Sequence, residues 1–417
     1  MYLSELNKVV NGNIDGDTEI KKIKTNSKEI EIGDLFLAIN KGVDYIEDAI
    51  NNGAVAIISE IDIDYPIPKI KVCSAVESLG QIAKYIRQLY QKPVIAITGS
   101  VGKTTTKELV SLVLKEKYKV LKSEKNNNNH IGLPITLLKL DQDYDVVVAE
   151  LGMNHLNEIS YLSNICQPDY AVITNIGSAH IGNLGSKKNI LKAKLEILDG
   201  MDNGYLLVNN YDKYLKKVKY SKKIKVDAKS LNVKNIKYGN QIEFDIDHTH
   251  FIFKSYKHLL SNVFIAIKIG LLFNIDLNLI SKAIASYQNI EGRCNLIKTK
   301  WTIIDDSYNS SFESLIGGLE CLKDKKEYKI IILGDMLELG KYSSKYHKKI
   351  NGHLKKIKNK EVLLIGEYTK LIKGKHFASV DEINDYLIAH AKDNSLIYIK
   401  GSHAMNLDKI KELTLSK

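Results

Sequence analysis

The chain is poor in cysteine, has no long apolar run and shows no concentrated stripe of charge. Cys73, Cys166, Cys294 and Cys321 are scattered, and no two form a C-x-x-C pair. That spacing argues against a disulfide frame or a zinc site and suits reduced thiols in a cytoplasm. No apolar stretch approaches the roughly 20 residues that cross a bilayer, so no membrane insertion is expected. The opening residues, MYLSELNKVVNGN, lack the apolar core of a signal peptide. The expected location is therefore cytoplasmic. Lys and Arg number 60 against 49 Asp and Glu, a net charge of +11. The excess is spread through a sequence rich in Lys, Asn, Ile and Tyr, without a basic stripe interleaved with aromatics. Nucleic acid is not an expected partner; small anionic substrates fit the charge. There is no internal repeat and no low-complexity linker beyond Asn126–Asn129. We expect a monomer.

What is present begins with length. At 417 residues the chain exceeds one hydrophobic core. One stretch organises it: VIAITGSVGKTTTKEL, Val94 to Leu109. The apolar run Val94–Ile97 reads as a buried strand, and Leu109, Val110, Val113 and Leu114 recur at helix spacing. Between them lie Gly99, Ser100, Val101, Gly102, Lys103, Thr104 and Thr105. Strand, glycine turn and helix make a phosphate cradle, with backbone N–H groups and the helix N-terminus facing an anion. Lys103 would reach the outer phosphates and the Thr104 hydroxyl would sit on Mg²⁺. Ile97 occupies the place of the first glycine of the longer phosphate-loop pattern, so only G-x-x-G-K-T remains.

The rest reads as α/β in three domains. A small α/β domain is expected over residues 1–77, with strands at Leu35–Ile39, Val55–Ile58 and Ile70–Val72 and a helix at Tyr45–Asn51. An amphipathic stretch, Val76–Tyr90, leads to a central P-loop parallel-sheet ATPase domain, 78–293. Its further strands are Asp145–Leu151 and Tyr170–Thr174, near-continuous apolar runs of the buried parallel kind. Ligands collect at the carboxyl ends of such strands, so Glu150, Asn154, His155, Thr174, Asn175 and His180 should converge on the loop. Residues 205–256 read as irregular and β-rich, Asn262–Leu272 as an apolar helix and Gly292 as a hinge. A Rossmann-like domain is expected over 294–417, with strands Trp301–Ile304, Lys329–Leu333, Val362–Ile365 and Leu396–Ile399. His347 falls in a Lys-rich helical stretch and reads as exposed, and His130, His155 and His258 read as structural.

Several stretches together resemble the Mur ligases. They are TGSVGKTTTKE at 98–108, NNNNHIGLP at 126–134, ELGMNHLNEI at 150–159, TNIGSAHIGNLGS at 174–186 and LKAKLEI at 191–197. EGR at 291–293, DDSYNSS at 305–311, LGDMLELG at 333–340 and KGS at 400–402 complete the series. Their order covers nearly the whole chain and is most similar to the branch that adds a dipeptide. Ser311-Phe312 stands where the family usually has Asn-Pro, Lys28 where an arginine is usual after the serine, and His403 where arginine is usual.

The resemblance implies an ATP-dependent amide ligase joining D-alanyl-D-alanine to a UDP-N-acetylmuramoyl-tripeptide through an acyl phosphate. The N-terminal domain would then bind the UDP-substrate, and the last domain the incoming dipeptide and part of ATP. Catalytic residues would be Lys103, Glu150, His180 and Lys194. Two Mg²⁺ ions are implied, with Thr104, Glu150, His180 and Lys194 as metal residues and Lys194 carbamylated. A lysine whose pKa is depressed by burial, a metal and Lys103 can add CO₂ as the neutral amine; Lys187, Lys188 and Lys192 read as surface neighbours. Arg293, Asp306 and Asn309 would contact the phosphate, ribose and adenine of ATP, and Lys400 and Ser402 would face the dipeptide. Two alternatives stay open: another Mur-type amino-acid ligase, or a P-loop ATPase acting on a protein partner.

Overall fold

The computed structural model describes residues 1–239 and 241–410; residues 411–417 of the domain expected to end the chain lie outside the described residues. Three α/β units are arranged in chain order. The first is a five-stranded sheet in which Asn13–Asp15 is the antiparallel edge, followed by Lys69–Lys71, Ala56–Ser59, Leu35–Leu37 and Ile23–Lys24, all parallel. The helix Ala75–Leu89 places Leu79 and Ile82 in this unit's core and Ala83 in that of the next. Its Arg87 donates to the carbonyls of Cys166 and Gln167 and pairs with Asp169 at 3.0 Å, fixing the helix to the central unit.

The central sheet is wholly parallel, in the order Lys223–Val226, Tyr205–Asn209, Tyr170–Ile173, Val94–Thr98, Val146–Glu150, Val120–Lys122. Val94–Thr98 and Val146–Glu150 are buried at every position, as strands rich in β-branched residues and covered on both faces must be. Chain order reverses about Val94–Thr98, whose neighbours come later in sequence on either side, so its carboxyl end is a topological switch point. The β-rich stretch resolves into a three-stranded antiparallel sheet, Val233–Tyr238, Ile242–Ile246 and Thr249–Phe253. Phe244, Phe251 and Phe253 pack from it into one core with the helices Lys103–Leu114 and Leu260–Leu272.

The last unit has the order Asn295–Lys298, Thr302–Asp305, Leu396–Lys400, Lys329–Gly334, Lys360–Ile365, Lys375–Phe377. Its first strand is antiparallel and was not expected from the sequence. Its two apolar residues, Leu296 and Ile297, are exposed and half-buried, too weak a pattern to read. Among the described residues, no helix is long and apolar enough to cross a membrane.

Candidate active site

The turn after Val94–Thr98 has the shape its glycines require. At Gly99 a Cβ would lie 1.8 Å from the Thr174 hydroxyl, and at Gly102, with φ at +82°, 2.7 Å from Asn262 Nδ2. No side chain caps the helix that begins at Lys103. The N–H groups of its first turn, from Gly102 to Thr105, therefore lack intrahelical partners and carry the helix's positive end. Ser100 and Val101 differ. Their N–H groups donate to the Asn175 carbonyl and to Asn175 Oδ1 at 3.1 and 3.0 Å, and Thr174 Oγ1 donates to the Val101 carbonyl at 2.6 Å. Thr174 and Asn175 thus brace the loop from the neighbouring strand end. The Ser100 hydroxyl is buried with no hydrogen-bond partner.

Around the loop lies a cavity of about 840 Å³ shared by the central and last units. Glu150 ends its strand in register with Ile97 and is 2% exposed. Asn128 Nδ2 donates to its Oε1 at 2.9 Å, while its Oε2 is buried without a partner. Lys103 Nζ donates to the Gly99 carbonyl at 3.0 Å; burial pulls its pKa down, with Glu150 opposing. His180 caps the short helix Ile181–Leu184 from the left-handed region, φ 60°, and its Nδ1 lies 3.3 Å from Glu338. Burial lowers its pKa to about 4, so the imidazole is neutral near pH 7. Lys194 is 1% exposed, and burial followed by the charge of Lys103 holds its pKa well below that of a free lysine. Lys188 and Lys192 are exposed, as expected, but Lys187 is half-buried in an ion pair with Glu313, 2.7 Å away. His155 turns to Glu158 at 3.1 Å rather than to the loop.

At the junction with the last unit, Arg293 stacks on Tyr308 with 4.3 Å between guanidinium and ring, on the cavity wall. Asn309 Nδ2 donates to Glu338 Oε1 at 3.2 Å. Asp306 Oδ2 accepts from Lys400 Nζ at 2.7 Å and from the Tyr398 hydroxyl at 3.0 Å. Lys400 also donates to the Asn309 carbonyl at 3.0 Å, and Ser402 Oγ accepts the Leu337 N–H. Both residues hold loops of their own unit, and Lys400 also lines the cavity.

The exposed reading of His347 is corrected: it is 0% exposed. Met336 N–H donates to its Nε2 at 3.1 Å, so Nδ1 carries the proton and gives it to the Ser343 carbonyl at 2.8 Å. A Lys-rich helix still has one face on the core, and His347 shares that face with Ile350 and Leu354. Sequence reasoning also passed over Asn128 and Glu338, although both stand in stretches it had singled out. Glu313 carried no signal at all.

A phosphate loop opening a parallel sheet, with a second nucleotide-type sheet docked across its mouth, defines a P-loop protein working between two α/β bodies. The Mur ligase middle domain matches residues 97–282, and the glutamate ligase domain of Mur ligases matches residues 292–403. The UDP-N-acetylmuramoyl-tripeptide--D-alanyl-D-alanine ligase of Buchnera aphidicola is 32% identical, over 99% of this chain and 97% of that protein. The crystal structure of MurF from Acinetobacter baumannii superposes with a TM-score of 0.89 at 27% identity, covering 99% of this chain and 98% of that one. MurF ligase from Thermotoga maritima, solved in complex with ADP, gives 0.84 at 26% identity over 95% and 97%. The chain belongs to the Mur ligase family.

Proposed function

We propose that this protein is a cytoplasmic ATP-dependent ligase that joins D-alanyl-D-alanine to a UDP-N-acetylmuramoyl-tripeptide. The observation that carries the reading is the full-length likeness, 32% over 99% of the chain, to a ligase of that name. Residues 1–77 hold the UDP-substrate, 78–293 hold ATP, and 294–417 hold the dipeptide and part of ATP.

Two anions must meet, the tripeptide carboxylate and the γ-phosphoryl group. The chain brings positive and hydrogen-bonding groups to them and keeps water out. The free N–H groups of Gly102 to Thr105 cradle the phosphates. Lys103, already desolvated, follows the γ-phosphoryl charge as the carboxylate oxygen bonds to phosphorus and ADP leaves. The dipeptide amine, once deprotonated, adds to the acyl carbon; the C–O bond breaks, phosphate departs and an amide remains. Arg293 at the junction and Asp306 on the last unit hold ATP, with Asp306 fixed by Lys400 and Tyr398.

The donor set fits Mg²⁺. The Thr104 hydroxyl and the unpartnered Glu150 Oε2 would be hard oxygen ligands for one ion. Neutral His180 and a carbamate on Lys194 would hold a second, since the buried amine of Lys194 is the kind that adds CO₂. When bound, the ions neutralise phosphate charge and align the reacting oxygens.

The test is phosphate release from ATP with each UDP-muramoyl peptide, paired with D-alanyl-D-alanine or with a single amino acid. The tripeptide with the dipeptide should be fastest and yield an amide. Equal release without any peptide, or a preference for a single amino acid, would overturn the reading.

A further inference from the structure

We infer that Glu313 is a positioning residue that couples docking of the last unit to the phosphate loop; the inference rests on the ligase reading above. Glu313 stands in the first turn of the helix Phe312–Glu320, just past the DDSYNSS stretch, and its carboxylate crosses to the central unit. Oε2 accepts both the N–H and the hydroxyl of Ser178, at 2.8 and 2.7 Å, and Oε1 takes Lys187 Nζ at 2.7 Å. One carboxylate thus gathers three donors from the opposite body, in the charge-assisted geometry that is strongest when water is kept away.

What Ser178 belongs to gives the contact its meaning. It lies on the segment that begins with Thr174 and Asn175, the braces of Ser100 and Val101, and ends at His180. At Gly177 a Cβ would come 2.9 Å from Glu313 Oε2 and 3.0 Å from Ser100 Cβ. Carboxylate, brace and phosphate loop therefore stand in direct succession. Nearby, docking relies on uncharged contacts: Gly182 against Gly340, and the Tyr342 hydroxyl donating to the Gly185 carbonyl at 2.5 Å. Among the described residues, a second acidic crossing, Glu338 to His180, is longer at 3.3 Å.

The coupling matters because an acyl phosphate has two fates. Amine attack gives amide and phosphate. Water attack at the same carbon breaks the same C–O bond and returns carboxylate and phosphate, so the net reaction is ATP hydrolysis. A last unit that docks loosely admits water and leaves the loop unbraced.

The experiment measures phosphate and amide in one reaction for wild type, E313A, E313Q, K187M and E320Q. It also measures the radius of gyration by solution scattering without ligands. Wild type and E320Q, whose exposed carboxylate pairs with Lys323 just past the helix end and with His353 of the same unit, should give one phosphate per amide. E313A should form amide about tenfold more slowly, release phosphate in clear excess and have a larger radius. E313Q and K187M should fall between, and they carry the test if E313A does not fold. A folded E313A with one phosphate per amide and an unchanged radius would overturn the proposal. If wild type forms no amide, the ligase reading fails, and the radii alone decide the role of Glu313.

Discussion

The central sheet ends, after Val94–Thr98, in a turn whose helix leaves N–H groups facing the cavity. The last sheet ends, after Lys329–Gly334, in Asp335, whose carboxylate accepts the N–H groups of Glu367, Tyr368 and Thr369 at 2.8 to 3.1 Å. Gly366 makes room: a Cβ there would lie 2.6 Å from the Asp335 carboxyl carbon. Both sheets build a nest of backbone donors at the carboxyl end of a parallel strand. One leaves it for an outside anion, and the other fills it with an anion of its own. In the last sheet the donors follow Lys360–Ile365, and a carboxylate from the neighbouring strand end closes them to any other anion.

The comparison breaks most visibly at the open nest. Lys103→Ala removes the cation beside it, and ligation should fall about a thousandfold or more while the thermal midpoint hardly moves. Near-normal turnover would take the loop out of the mechanism.

A smaller effect sharpens the contrast between two buried lysines. Lys400 is neutralised by Asp306 at 2.7 Å, whereas Lys194 has Lys103 among its charged neighbours and a lowered pKa. Lys194→Ala should lose about a hundredfold in rate and recover part of it when a small carboxylic acid is added in place of the carbamate. Lys192→Ala, at an exposed site, should match wild type. Equal behaviour of the two variants would refute the role of Lys194.

The filled nest gives the smallest effect on activity and a measurable one on stability. Asp335→Ala strands three N–H groups around a side chain now 3% exposed and should cost about 3 kcal/mol. Chemical denaturation reads this directly. A variant as stable as wild type would mean that the nest needs no anion.

These features were unequally legible. Apolar runs gave three adjacent strands of the central sheet and four of the last, because buried parallel strands need no partner pattern to be read. Lys103 lies in the glycine turn and Glu150 at a strand end, both readable locally, whereas His180 came only from the resemblance of its TNIGSAH stretch; the three line one cavity. The edge strand Asn295–Lys298 and the core face holding His347 were lost, since each depends on what packs against it. Glu313 was invisible for a stronger reason. It acts across 135 positions of sequence, to Ser178, and nothing local distinguishes it from a solvated glutamate.

Gly182 and Gly340 meet backbone to backbone, 2.8 Å from where either Cβ would stand. Nothing there has rotamers to freeze when the two bodies come together, so the contact forms without loss of side-chain entropy. An alanine at either position would act as a shim, holding the faces apart by its own thickness. The clearance between the two units is thus written into two residues that have no side chain.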